Sequence, residues 1–246
     1  MQGLMVHCGG NESSLLEVGQ VEIPEATASY TPVANMDLID MLEFQITREL
    51  GVSNEDVDWS YALSGDKQQL FGIAKVNQES NLYSNQEMCL SIGFRNSYNK
   101  TLRVGIVSGA SVFVCDNLCF NGSDYKHMRK HTAHVHRDLY EMVRVAVSGS
   151  IDSFERSIAL AGYLKRSPVD TDRGYELIGR AMGHKVLMPR QAADAMKDWK
   201  KPRHAAFESQ TMWSLYNCFT EGIKKGQPGR LIDRAVKVTD FFEKAA

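Results

Sequence analysis

EMCLSIGFRNSYNKTLRVGIVSGASVFVCDNL, residues 87–118, is rich in β-branched and small residues and is punctuated at Tyr98-Asn99-Lys100 and Ser108-Gly109-Ala110. The pattern predicts three strands, 87–97, 101–107 and 111–118, joined by tight turns at those two points. Upstream, VDWSYAL (57–63) alternates apolar and polar, SGDKQ (64–68) has turn chemistry, and LFGIAKV (70–76) supplies another strand. About five antiparallel strands linked by short loops predict one curved sheet.

Helical patterns flank it. In NMDLIDMLEFQITREL (35–50), Leu38, Met41 or Leu42, Ile46 and Leu50 recur at helical spacing, Asn35 or Asp37 can cap the start, and Gly51 stops the run. Beyond Asn121-Gly122, the residues Tyr125, Met128, Thr132, Val135, Leu139, Met142 and Ala146 step alternately by three and four. That stripe predicts one long helix over 125–146, laid across the sheet and broken by Ser148-Gly149-Ser150. Helical segments follow at 151–166, 172–182, 189–200 with Pro189 in its first turn, 207–225 and 229–245. Strands first and helices afterwards give an α+β class: a curved sheet packed by a long helix, then a helical C-terminal half. The expected divisions are an acidic, flexible arm over 1–30, a core over 31–147, and a helical region over 148–246 packed on that core. Trp199, Trp213 and Tyr216 fall on apolar helix faces and belong to the core.

The 246 residues can bury a substantial core, and no apolar run approaches the ~20 residues of a membrane span. MQGLMVHCGGNESS at the start lacks the charged-then-apolar layout of a signal peptide. Five scattered cysteines read as reduced thiols, so a cytoplasmic location is expected. Neither GxGxxG nor a phosphate-loop GK[ST] occurs, and no nucleotide cofactor is expected. The net charge of −2 conceals a split: residues 1–60 hold eleven acids and one base, Arg48, and the remainder holds 27 bases and 19 acids. Either the acidic segment folds against a basic body, or the body is kept basic for a polyanion.

Basic residues concentrate in KHMRKHTAHVHR, 126–137, with four of the chain's seven histidines. On a helix, Lys130, Arg137 and Arg144 point away from the apolar stripe, His127 shares one flank with His134, and His131 shares the other with Asp138. Four readings compete. His127 and His131 have the i, i+4 spacing of metal ligands, but Arg129 and Lys130 between them repel a cation and no HExxH occurs. Cys115 or Cys119 with a cluster histidine would make a nucleophile and base. A solvated helix face needs no ligand at all. A polyanion track would use Lys126, Arg129, Lys130, His131 and Arg137 on phosphates, with Arg95, Tyr98, Lys100 and Arg103 around the 98–100 turn guiding or stacking the strand.

FRNSYNKTLRVGIVSGASVFVCDNLCFNGSDYKHMRKHT resembles the phage/plasmid-like proteins, a family whose domain is of unknown function; the likeness lies in the NSYNK turn, the RVGIVSGASVFVCDNL segment and the link into RKHT. YTPVANMDLIDML resembles the family's opening segment and TMWSLYNCFTEGIKK its helical C-terminal signature, so the resemblance spans roughly 30–240. It implies a bacteriophage, plasmid or other mobile element and a bacterial host cytoplasm, and it carries over no catalytic residue. The order of elements is also similar to single-strand annealing recombinases of the Erf and RecT types. The leading expectation is a non-enzymatic, homo-oligomeric protein that binds single-stranded DNA, with no metal and no membrane partner. The alternative is a host-takeover or anti-defence factor whose acidic N-terminal segment docks on a host protein.

Overall fold

A computed structural model describes residues 11–76, 83–85, 87–112, 118–120, 127–224 and 230–245. Among the described residues seven strands make one antiparallel sheet: β1 (Asn11–Ser13), β2 (Val57–Leu63), β3 (Gln69–Val76), β4 (Met88–Ser97), β5 (Val104–Val112), β6 (Leu118–Phe120) and β7 (Met128–Arg129). Strands β1 to β6 lie side by side in chain order, and β7 pairs with the start of β5. The helices among the described residues are α1 (Leu15–Gly19), α2 (Asn35–Leu50), α3 (Val135–Ser148), α4 (Ser150–Arg166), α5 (Thr171–Gly183), α6 (Pro189–Lys200), α7 (Met212–Ile223) and α8 (Leu231–Ala245). The class is α+β, with a mostly helical C-terminal half.

Every residue of β4 and β5 is buried, so the centre of the sheet is covered on both faces. On one face Ser108 Oγ donates to Ser153 Oγ of α4 at 3.1 Å, and Ser157 Oγ reaches the Cys119 carbonyl at 3.3 Å. Small residues on both sides let helix and sheet approach closely. On the opposite face Arg95 Nη1 lies 2.9 Å from Asp233 Oδ1 of α8. At Gly72 a Cβ would fall inside the Phe94 ring across the β3–β4 pair, so only glycine fits there. Leu38, Leu42 and Ile46 of α2 and Leu139 and Val143 of α3 complete a core that also takes in Trp199, Trp213 and Tyr216.

Helix α2 has the expected bounds, and Gly51 (φ +66°) ends it. Its start is capped differently: no side chain caps it from the N-cap position at Ala34, and the Asn35 N–H donates to Tyr98 Oη at 2.9 Å. Two expectations are corrected. Ser108-Gly109-Ala110 is no turn, because β5 runs straight through it and pairs with β4 along its length. The small residues that read as a turn serve as the contact for α4. Nor is 125–146 one helix. Residues 128–129 form β7 and α3 begins only at Val135. The reason is hydrogen bonding: Ile106 N–H donates to the His127 carbonyl at 3.0 Å, and Thr31 N–H to the His131 carbonyl at 3.0 Å. Distant partners take the carbonyls a helix would use for its own i+4 amides.

Of the expected arm, residues 1–10 lie outside the described residues. Residues 11–30 contribute β1, which pairs with β2, then α1 with a Ser14–Glu17 capping box, and bury Val18 and Tyr30. No described helix is long and apolar enough to cross a membrane.

Candidate nucleic-acid interface

Strand β4 ends at the sheet rim in Arg95, Asn96, Ser97 and the turn at 98–100, and its alternation sends successive side chains to opposite faces. Asn96 is fully buried and acts as a hub. Its amide nitrogen donates to the Val33 carbonyl at 2.7 Å and to Asn35 Oδ1 at 2.9 Å. With both amide hydrogens spent, its Oδ1 accepts from His131 Nε2–H at 2.8 Å, which leaves the lone pair of the neutral imidazole on Nδ1. Burial pushes His131 below its ordinary 6.5.

Three of the expected contact residues therefore do not present themselves to a strand. His131 is buried on Asn96. Tyr98 is buried, its hydroxyl engaged with the Asn35 N–H, so its ring is no stacking platform. Arg95 is buried against Asp233, with Nη2 at 3.5 Å from Met128 Sδ. Lys126 lies outside the described residues. Arg129 and Arg137 are exposed but share one carboxylate: Asp138 lies 3.8 Å from Arg129 Nε and 3.2 Å from Arg137 Nε. His134 occupies the cap position of α3, and His136 is exposed in its first turn. The i, i+4 pairing of His127 with His131 is not realised, because a strand runs between them.

The remaining three, Lys100, Arg103 and Lys130, come together. They line a concavity of about 350 Å³ with Tyr30 and His131. The Tyr30 and His131 rings lie 5.5 Å apart, and Lys100 Nζ sits 4.7 Å from the centre of the Tyr30 ring. Thr101, Leu102 and Arg103 also line a second concavity of about 520 Å³, which continues past Met128 to Arg230 and Lys237 over the Arg95–Asp233 pair. Lys237 in turn borders a third, of about 490 Å³, with Arg180, His184 and Lys244 on its rim and Val186 and Phe241 supplying apolar surface. The first and second share Thr101, Leu102 and Arg103, and the second and third share Lys237, so the three adjoin in a row, a segmented cleft from the 98–100 turn to the end of α8. Its cations far outnumber its carboxylates among the described residues, Asp233 and Asp240. Next to Asp233, Arg234 is pushed below the usual arginine value chiefly by burial, with a smaller push from Arg230.

Arg230, Lys237 and Lys244 are not among the expected contacts, yet a spacing of seven puts Lys237 and Lys244 on one side of the last helix, with Arg230 one spacing earlier, just before its start. That periodicity is the signal that finds them. Arg180, from α5, has no comparable sequence signature. Cys119 is buried and hydrogen-bonded with Tyr216, while Cys115 lies outside the described residues. The Cys218 thiol is pushed up to about 12, chiefly by burial.

Fold and cleft together define an α+β protein whose antiparallel sheet and terminal helix frame a cationic groove. The chain belongs to the family described as a domain of unknown function (DUF932), whose model matches residues 25–241. That span takes in the sheet from β2 onward and the cleft from Tyr30 to Lys237. No curated protein and no solved structure matches the chain.

Proposed function

We propose that this is a phage- or plasmid-encoded protein that binds single-stranded nucleic acid along the cleft and anneals strands as a homo-oligomer. The observation that carries the reading is the row of adjoining concavities, the first two sharing Thr101, Leu102 and Arg103 and the last two sharing Lys237, each edged by exposed cations. Lys100, Lys130, Arg103, Arg230, Lys237 and Lys244 contact phosphates, and Phe241 offers an aromatic surface in the third concavity. A duplex carries its phosphates on a convex cylinder and keeps its bases stacked inside, so recessed pockets of this size favour nucleotides that are already unpaired. Arg129 and Arg137 stand outside the cleft and extend its field, tempered by Asp138. The annealing role rests on element order, a helix followed by an antiparallel sheet and then further helices.

Fluorescence anisotropy with a labelled oligonucleotide tests the binding. A single strand is expected to bind more tightly than the same sequence as a duplex. Reversing charge at Arg103 and Lys237 together should weaken single-strand binding about a hundredfold, because each removes one charge-assisted hydrogen bond to a phosphate. Equal affinity for duplex, or affinity untouched by the double variant, contradicts the reading. Light scattering of the complex reads the oligomer, and a monomer with or without strand contradicts the annealing role.

A further inference from the structure

The three parts of the cleft differ in charge. Carboxylates enter the second and third, as Asp233 and Asp240, whereas among the described residues the first has Lys100, Arg103 and Lys130 and no carboxylate. An internal phosphodiester carries one negative charge, and a phosphomonoester carries between about 1.5 and 2 at pH 7 because its second pKa is near 6. The first concavity is thus matched to the more highly charged group.

Its geometry is also set in advance. Ser29 and Tyr30 wall one side, and the next residue ties them down through the hydrogen bond from Thr31 N–H to the His131 carbonyl. Lys100 has φ +63°, a left-handed conformation that glycine adopts freely and a lysine does not. That conformation accompanies an ammonium lying over the buried Tyr30 ring, and both residues line the concavity. Lys67 and Lys185 share that backbone conformation, so what sets Lys100 apart is the Tyr30 ring beneath its ammonium and the cations beside it. Ser29 and Thr132 add hydroxyls to the lining.

We infer that the concavity formed by Tyr30, Lys100, Arg103 and Lys130 is a phosphomonoester site, holding the terminal phosphate of a strand whose body lies along the cleft. The inference rests on the nucleic-acid reading for the identity of that strand. A free nucleoside monophosphate offers the same chemistry, so the experiment includes both. Three oligonucleotides of one sequence, with hydroxyl ends, a 5′-phosphate or a 3′-phosphate, are titrated at one salt concentration, and adenosine monophosphate is titrated separately by calorimetry. Lys100→Gly accompanies the wild type, since glycine suits the left-handed turn and preserves the fold while removing the ammonium.

One phosphorylated end should bind about tenfold more tightly than the hydroxyl-ended strand, as one added charge-assisted hydrogen bond predicts, and Lys100→Gly should bring that ratio close to one. Binding of the monophosphate to the wild type and its loss in Lys100→Gly, without any end preference, also supports the site and assigns it to the free nucleotide. If hydroxyl-ended strands bind but neither phosphorylated end nor monophosphate is favoured, the phosphomonoester site is overturned and the nucleic-acid reading stands. If the monophosphate binds and no strand does, the site stands and the nucleic-acid reading falls.

Discussion

Asn96 and His131 show how much a single buried polar residue organises here. Asn96 ties Val33, Asn35 and His131 to the end of β4, so replacing it with leucine would leave two acceptors and one donor buried and unpaired. The expected cost is about 3 kcal/mol, a fall in Tm of roughly 6–12 °C for a chain of this size, read by thermal unfolding. His131 makes stability depend on pH. Its pKa is lowered in the folded state from the ordinary 6.5, so below that value the unfolded chain binds the extra proton first. Its contribution is complete above pH 6.5 and is lost as pH falls from 6.5 through the depressed folded value. His131→Gln, whose amide can still donate to Asn96, should flatten the acid side of a Tm-against-pH curve, and an unchanged slope would contradict this account. Neither role is legible in KHMRKHTAHVHR, because the partners lie 35 residues or more upstream in sequence at Asn96 and Thr31. The same holds for Tyr98 and Arg95, whose burial is decided by Asn35 and Asp233.

Elements with one clear period and one clear stop are legible. Helix α2 ends at Gly51, α6 begins at Pro189, and β2 has its expected bounds. The stripe from 125 to 146 misleads because strand, turn and helix can bury Met128, Val135 and Leu139 as well as one continuous helix can. Ser108-Gly109-Ala110 misleads for a different reason: small residues mark turns and also mark places where a helix lies close to a sheet. Ser108→Leu should therefore overpack the α4 contact and remove the bond to Ser153, costing about 1–3 kcal/mol and lowering Tm by several degrees. A Tm equal to wild type would mean α4 does not sit close. On α8, Lys237→Gln with Lys244→Gln should leave Tm within about 2 °C, since both side chains are exposed, yet weaken strand binding.

Across the whole molecule the acidic segment does fold against the body, through β1, α1 and α2, and the proposed reading adds that the body also keeps a basic face for a polyanion. Arg95, Arg129 and Arg137 pair with Asp233 and Asp138, carboxylates from the chain's later parts. In the proposed reading the cations lining the three concavities meet phosphates along a path from the sheet rim to the last helix. Binding affinity for a single-stranded oligonucleotide across a series of salt concentrations tests this most directly. With about five to seven cations on the path and a slope of about −0.7 for each phosphate neutralised, log K against log salt should fall with a slope of roughly −3 to −5. Arg230→Gln, Lys237→Gln and Lys244→Gln combined should make that slope shallower by about 2. A salt-independent affinity, or a slope unchanged in the triple variant, would contradict a phosphate path through this cleft.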